Sequence, residues 1–133
     1  MIFVICGLIG AGKSSYANEH YKNVTECESG TKEQQIAATL RFYRSGADVA
    51  HVTTYPSAEE LVVAADVPPS DVEWILIDTA PDQCRKNIIE RNRPRDMNDL
   101  GLVIEKNRNL WKRFAESQLP FRHVTIFKTS ERW

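Results

Sequence analysis

Short apolar runs alternate with segments of helical period from one end of the chain to the other. Ile2-Phe3-Val4-Ile5-Cys6 is apolar without a break, which predicts a strand covered on both faces. Residues 14–21 fit a first short helix, and Lys22 to Cys27 a second, weaker strand. Over 31–45 the positions Ile36, Leu40 and Tyr43 share one helical face, and Gly46 supplies a stop. Asp48 to Thr54 predicts a third strand, and Pro56-Ser57 opens a helix running to about Ala65. After the break at Pro68-Pro69, Trp74-Ile75-Leu76-Ile77 predicts the strongest later strand. Residues 82–92 predict a helix, followed by a polar stretch around Pro94. The final helix covers 100–117, with Val103, Leu110 and Phe114 on one side, and Pro120 ends it before a last strand from His123 to Phe127. Strands that alternate with helices in this way predict an α/β fold. The expected form is a three-layer α/β/α sandwich around a five-stranded parallel sheet with right-handed crossovers.

The length of 133 residues suits a single domain of this kind. Apolar residues at 42% and charged residues at 26% are an ordinary globular balance. The net charge of -1 excludes a general polycation, so any contact with a polyanion has to be local. Cys6, Cys27 and Cys84 are odd in number and none forms a C-x-x-C pair. That argues against a disulfide framework or zinc site, and for reduced, buried thiols in a cytoplasmic protein. The apolar start is too short to span a bilayer and has no basic flank, so no membrane role is expected.

One motif adds chemistry. Gly7-Leu8-Ile9-Gly10-Ala11-Gly12-Lys13-Ser14 matches G-x-x-x-x-G-K-[ST] in full, directly after an apolar strand and before a helix. Chance supplies such a match in well under roughly 1% of chains this long, given ordinary glycine usage. The glycines let backbone N–H groups turn around phosphate oxygens, and the helix that follows offers its positive end to the same anion. Lys13 can reach the β- and γ-phosphates, and the Ser14 hydroxyl can ligate Mg2+. Gly7 through Ser15 are therefore the expected binding residues for a nucleoside triphosphate. Lys13 itself is expected to face solvent when no ligand is bound.

A second stretch follows the strand at 74–77. Asp78-Thr79-Ala80-Pro81-Asp82-Gln83-Cys84-Arg85-Lys86-Asn87 runs on into Glu90-Arg91-Asn92-Arg93-Pro94-Arg95. With the phosphate loop, this resembles the P-loop kinases, and among them the small AAA-type kinases of the polynucleotide kinase and zeta-toxin-like group. The resemblance implies a lid near 91–99 whose arginines Arg91, Arg93 and Arg95 close over the transferred phosphoryl group. Arginine suits that task, because its planar fork of donors matches dispersed phosphoryl charge. Members of the group often carry an aspartate after the second strand. Here that region reads Glu26-Cys27-Glu28, and either glutamate can take a proton from an acceptor hydroxyl; Glu28 is the catalytic candidate retained. The third strand ends Thr53-Thr54-Tyr55 without an acid. Asp78 is then the expected acid for Mg2+ beside Ser14, and a catalytic candidate.

These features predict an ATP- and Mg2+-dependent phosphotransferase. Its acceptor is expected to be a nucleoside, a nucleotide or the 5′-hydroxyl end of a polynucleotide. With barely one helix between the second and third strands, the acceptor site is expected to be open. The alternatives are a nucleotide hydrolase or switch, and a nucleotide-binding module without catalysis. His20, His51 and His123 show no evident partners in the sequence.

Overall fold

The structure, a computed structural model, describes residues 1–27 and 30–127. Its strands are β1 (Ile2–Cys6), β2 (Val24–Thr25), β3 (Val49–Val52), β4 (Val72–Ile77) and β5 (Arg122–Val124). Its helices are α1 (Lys13–His20), α2 (Lys32–Arg44), α3 (Ala58–Ala65), α4 (Pro81–Arg91), α5 (Pro94–Met97) and α6 (Leu100–Glu116). A single 3-10 turn, Pro69–Asp71, leads into β4. All strand pairings are parallel and the sheet order is β2-β3-β1-β4-β5. The chain steps from β1 outward to one side and returns to build the other, so the crevice at the carboxyl end of β1 is the switch point where such sheets bind ligands.

Burial explains why the apolar runs read so clearly. Ile5, Cys6, Val49, Ala50 and Ile75 have no exposed surface, as expected of strands covered on both faces. Each fully buried Ile or Val side chain contributes about 1.5–3 kcal/mol of transfer free energy.

The helix ends follow local chemistry. In α2 the Thr31 side chain accepts from the Gln34 N–H while the Gln34 side chain accepts from the Thr31 N–H. At its far end Gly46 takes φ 86°. There the N–H groups of Gly46 and Ala47 bond back to the Tyr43 and Phe42 carbonyls, the paired closure that a left-handed residue permits. Pro94 forces Arg93 out of helix to φ -75°, ψ 130°, which separates α4 from the single turn of α5.

Two strands differ from expectation. β2 keeps only Val24 and Thr25, paired at the sheet edge with Ala50 and His51. β5 begins at Arg122 and ends at Val124. Beyond it the Thr125 hydroxyl turns in to donate to Asp78 instead of extending the ladder.

The histidine expected to lack a partner, His51, lies at the centre of a buried polar cluster. Its Nδ1 meets the Thr39 hydroxyl at 2.7 Å and its Nε2 pairs with the Glu60 carboxylate. Glu60 also caps α3 by accepting from the Ser57 N–H, and it pairs with the Lys32 ammonium at 3.2 Å. Burial alone raises the Glu60 pKa, but the His51 hydrogen bond, the Ser57 N–H and Lys32 together outweigh it and bring it down to about 2. Because the folded value lies below the ordinary 4.5, this stabilisation is complete above that pH and is lost as pH falls toward 2. We expect wild-type stability to drop by on the order of 2 kcal/mol between pH 5 and pH 2.5 through this group. In Glu60→Gln that share of the drop should vanish. Urea denaturation of both proteins across this range is the check, and parallel acid profiles would remove Glu60 from the account.

Candidate functional site

The loop between β1 and α1 sits at the switch point. It is tied to the third strand's end by the Gly7 N–H on the Thr54 carbonyl at 3.0 Å, and it closes on itself through the Ala11 N–H and the Leu8 carbonyl at 3.1 Å. Gly10 and Gly12 hold φ of 86° and 97°, where a side chain is strained. A Cβ on Gly10 would also lie 2.9 Å from the Cys84 carbonyl oxygen. Gly10 and Gly12 are thus demanded by backbone geometry in this chain, the first at a position the motif leaves open.

Lys13 differs from its expected exposed position. It is half-buried, and its ammonium donates to the Gly7 and Leu8 carbonyls at 3.0 and 2.8 Å. Burial lowers its pKa from 10.5 to about 8, and the Arg91 charge acts in the same direction. A phosphate anion beside the ammonium would favour the charged form. We therefore expect triphosphate affinity to be flat below pH 8 and to weaken above it. Binding at pH 9 should take up close to one proton. Titration calorimetry in two buffers of different ionisation heat measures this, and affinity unchanged up to pH 9.5 would contradict it.

A cleft of about 500 Å3 opens in front of the loop. Ile9 through Ser15 form one wall; Arg91, Arg93, Arg95 and Asp96 form another; Glu26, Cys27, Lys32, Thr53 and Thr54 line the side below β2 and β3, and Lys106 of α6 completes it. Six basic side chains thus face two acids in a chain of net charge -1. Asp96 is buried at 6% exposure, and its carboxylate lies 3.8 Å from Arg91 and 4.0 Å from Arg95. Burial, with Arg93 and Arg95 nearby, lowers the Arg91 pKa.

The residues singled out in the sequence divide as follows. Ile9, Gly10, Ala11, Gly12, Lys13, Ser14, Ser15, Arg91 and Arg95 all line the cleft, whereas Gly7 and the buried Leu8 form the base of the loop. Asp78 is not among the lining residues. Its Oδ2 accepts from the Thr125 hydroxyl at 3.0 Å and lies 3.5 Å from His123, while its Oδ1 is buried with no hydrogen bond among the described residues. Glu28 falls outside the described residues. Glu26 lines the cleft and has a buried Oε1 with no hydrogen-bond partner among the described residues. Cys27, expected to be buried, is half-buried at the same edge, whereas Cys6 and Cys84 are buried, with thiols raised by desolvation.

Several contributors were not foreseen. Lys32 reaches the cleft from the start of α2, and Lys106 from α6. Thr79, Asn87 and Asn107 each donate to a carbonyl of the loop. Among the described residues, no three His, Cys, Asp or Glu side chains cluster as a metal cage, and no helix is long and apolar enough to cross a membrane.

No protein-family profile and no curated protein sequence matches the chain. Among solved structures, the fold is similar to that of the deoxyadenosine kinase from M. mycoides with bound dATP. The TM-score is 0.59 at 15% identity, over 94% of this chain and 91% of the other. At that identity the likeness is one of fold.

Proposed function

We propose that the chain is a small ATP-dependent phosphotransferase that moves the γ-phosphoryl group to a nucleoside, a nucleotide or a polynucleotide 5′-hydroxyl. The observation that carries this reading is the shared cleft: Lys13 of the phosphate loop and Arg91, Arg93 and Arg95 of the lid segment face one space. A binding module needs the loop alone. Arginines set opposite it add donors where charge is redistributed during transfer. The fold shared with a deoxyadenosine kinase is consistent with this assignment, and so is the resemblance of residues 74–95 to the polynucleotide kinase and zeta-toxin-like group.

In this mechanism the loop N–H groups and Lys13 hold the β- and γ-phosphates, and the lid arginines neutralise the transferred group. Glu26, which lines the same cleft as Lys13, accepts the proton of the acceptor hydroxyl. Glu28 is the other candidate for this role. The donor set fits Mg2+ held mainly by phosphate oxygens and water. Ser14 would be its protein ligand, with Asp78, whose Oδ2 accepts from Thr125, as the acid expected beside it and Glu26 as the acid that lines the cleft. When bound, the ion would neutralise charge between the β- and γ-phosphates.

ATP consumption with and without a panel of nucleosides, nucleotides and 5′-hydroxyl oligonucleotides tests the reading. A phosphotransferase shows turnover that depends on one acceptor class. Equal turnover with no acceptor would make the protein a hydrolase, and binding without turnover would make it a nucleotide-binding module.

A further inference from the structure

Three consecutive carbonyls of the phosphate loop are each bonded from outside by a side chain of another element. The Ile9 carbonyl accepts from Asn107 of α6 at 2.9 Å, the Gly10 carbonyl from Asn87 of α4 at 2.9 Å, and the Ala11 carbonyl from Thr79 at 2.8 Å. Asn107 also accepts from the Ile9 N–H at 2.8 Å, so its amide pairs with both polar groups of one residue. These partners lie 68 to 98 residues from the loop in sequence. Asn107 is 2% exposed and Thr79 is fully buried, and a polar side chain is costly to bury unless its hydrogen bonds are made.

The consequence follows from peptide geometry. All peptide bonds among the described residues are trans, so the C=O and N–H of one unit point in opposite directions. A carbonyl pinned toward α6 turns the N–H of the next residue away from α6. The Ile9 carbonyl thus fixes the Gly10 N–H, and the Ala11 carbonyl fixes the Gly12 N–H. Between them, the Gly10 carbonyl fixes the Ala11 N–H, which closes the loop on Leu8. Glycines at 10 and 12 would otherwise leave these peptide planes free to rotate.

We propose that Asn107, acting with Asn87 and Thr79, is a positioning residue of the anion site: it holds the loop's N–H groups in their binding orientation before any ligand arrives. This rests on the phosphate-binding reading of the loop and adds residues that the motif does not contain. A site organised in advance loses less freedom on binding. Removal of the brace should therefore weaken anion affinity without touching the anion.

The test uses the full chain with Asn107→Leu, which keeps the buried volume and loses both hydrogen bonds, and Asn107→Asp, which keeps the shape but faces the Ile9 carbonyl with an oxygen. In the free protein, exchange of the Ile9 amide in Asn107→Leu should accelerate on the order of ten-fold or more, with the amides of β1 and β4 unchanged. Affinity for inorganic tripolyphosphate should fall on the order of ten-fold in both variants. Unchanged exchange and affinity in a folded Asn107→Leu would overturn the proposal, as would restoration of affinity by Asn107→Asp, which would show that shape alone matters. If Asn107→Leu does not fold, Asn87→Ala, at a half-buried position, decides: weakened tripolyphosphate binding supports the brace and wild-type binding overturns it. Wild-type protein that binds neither tripolyphosphate nor ATP brings down the reading of the loop itself, whereas wild-type binding shared by every variant brings down only the brace.

Discussion

Lys13→Ala is expected to lose triphosphate binding while keeping its fold. The side chain is half-buried at the mouth of the cleft, and among the described residues its ammonium bonds to the Gly7 and Leu8 carbonyls, so its removal opens no core cavity. Each charge-assisted hydrogen bond to phosphate contributes about 1.5–3 kcal/mol. Two of them correspond to a loss on the order of 10²-fold or more. The desolvation that lowers the Lys13 pKa to about 8 also disappears in the variant, so thermal stability should hold or rise slightly. Calorimetric titration beside a thermal melt measures both quantities. ATP affinity equal to wild type would remove the loop from the account.

Arg91 and Arg95 are expected to act differently. Arg91 ends α4, and Arg95 lies in the single turn of α5 beyond the bend that Pro94 imposes. A polar bend at this place suits the proposed lid, which would open and close over a ligand. In the structure both guanidinium groups lie near the Asp96 carboxylate, at 3.8 and 4.0 Å. These are long pairs that a phosphate can replace. An arginine placed on the charge that develops during transfer is worth on the order of 10³ or more in rate. Arg91→Ala or Arg95→Ala should therefore lower kcat by about that factor and change the Kd for ATP by only a few-fold. Single-turnover transfer measured beside equilibrium binding separates the outcomes. Equal losses in rate and affinity would make these residues simple docking groups, and no loss in either would make the basic run a solvated helix face.

What the sequence disclosed and what it hid follow from how each feature is written into the chain. The parallel sheet was legible because strands covered on both faces need unbroken apolar runs, as in Ile2–Cys6 and the end of β4. The loop was legible because its positive φ angles require glycine at Gly10 and Gly12. The bend before α5 was legible because Pro94 constrains Arg93 whatever the surroundings. The brace was not. Asn87 and Asn107 sit on helices where asparagine is common at the surface, and their partners are nearly 80 and 100 residues away. His51 was obscure for the same reason, since Thr39 and Glu60 reach it from two different helices. Asp78 shows a limit of the same kind. An acid at the end of an apolar strand suggested a metal ligand, but strand position does not say which neighbours the side chain meets, and here its Oδ2 meets Thr125 of the chain beyond β5.

The claim at the centre of this account is that the γ-phosphoryl group of ATP leaves for an acceptor hydroxyl or phosphate and not for water. The direct measurement follows ATP labelled at the γ-phosphate through a single turnover, with the preferred acceptor present and magnesium in excess. The label is expected on the acceptor, with little free phosphate, and Arg91→Ala is expected to slow its appearance. Label recovered as inorganic phosphate at the same rate with and without every acceptor tried would contradict it.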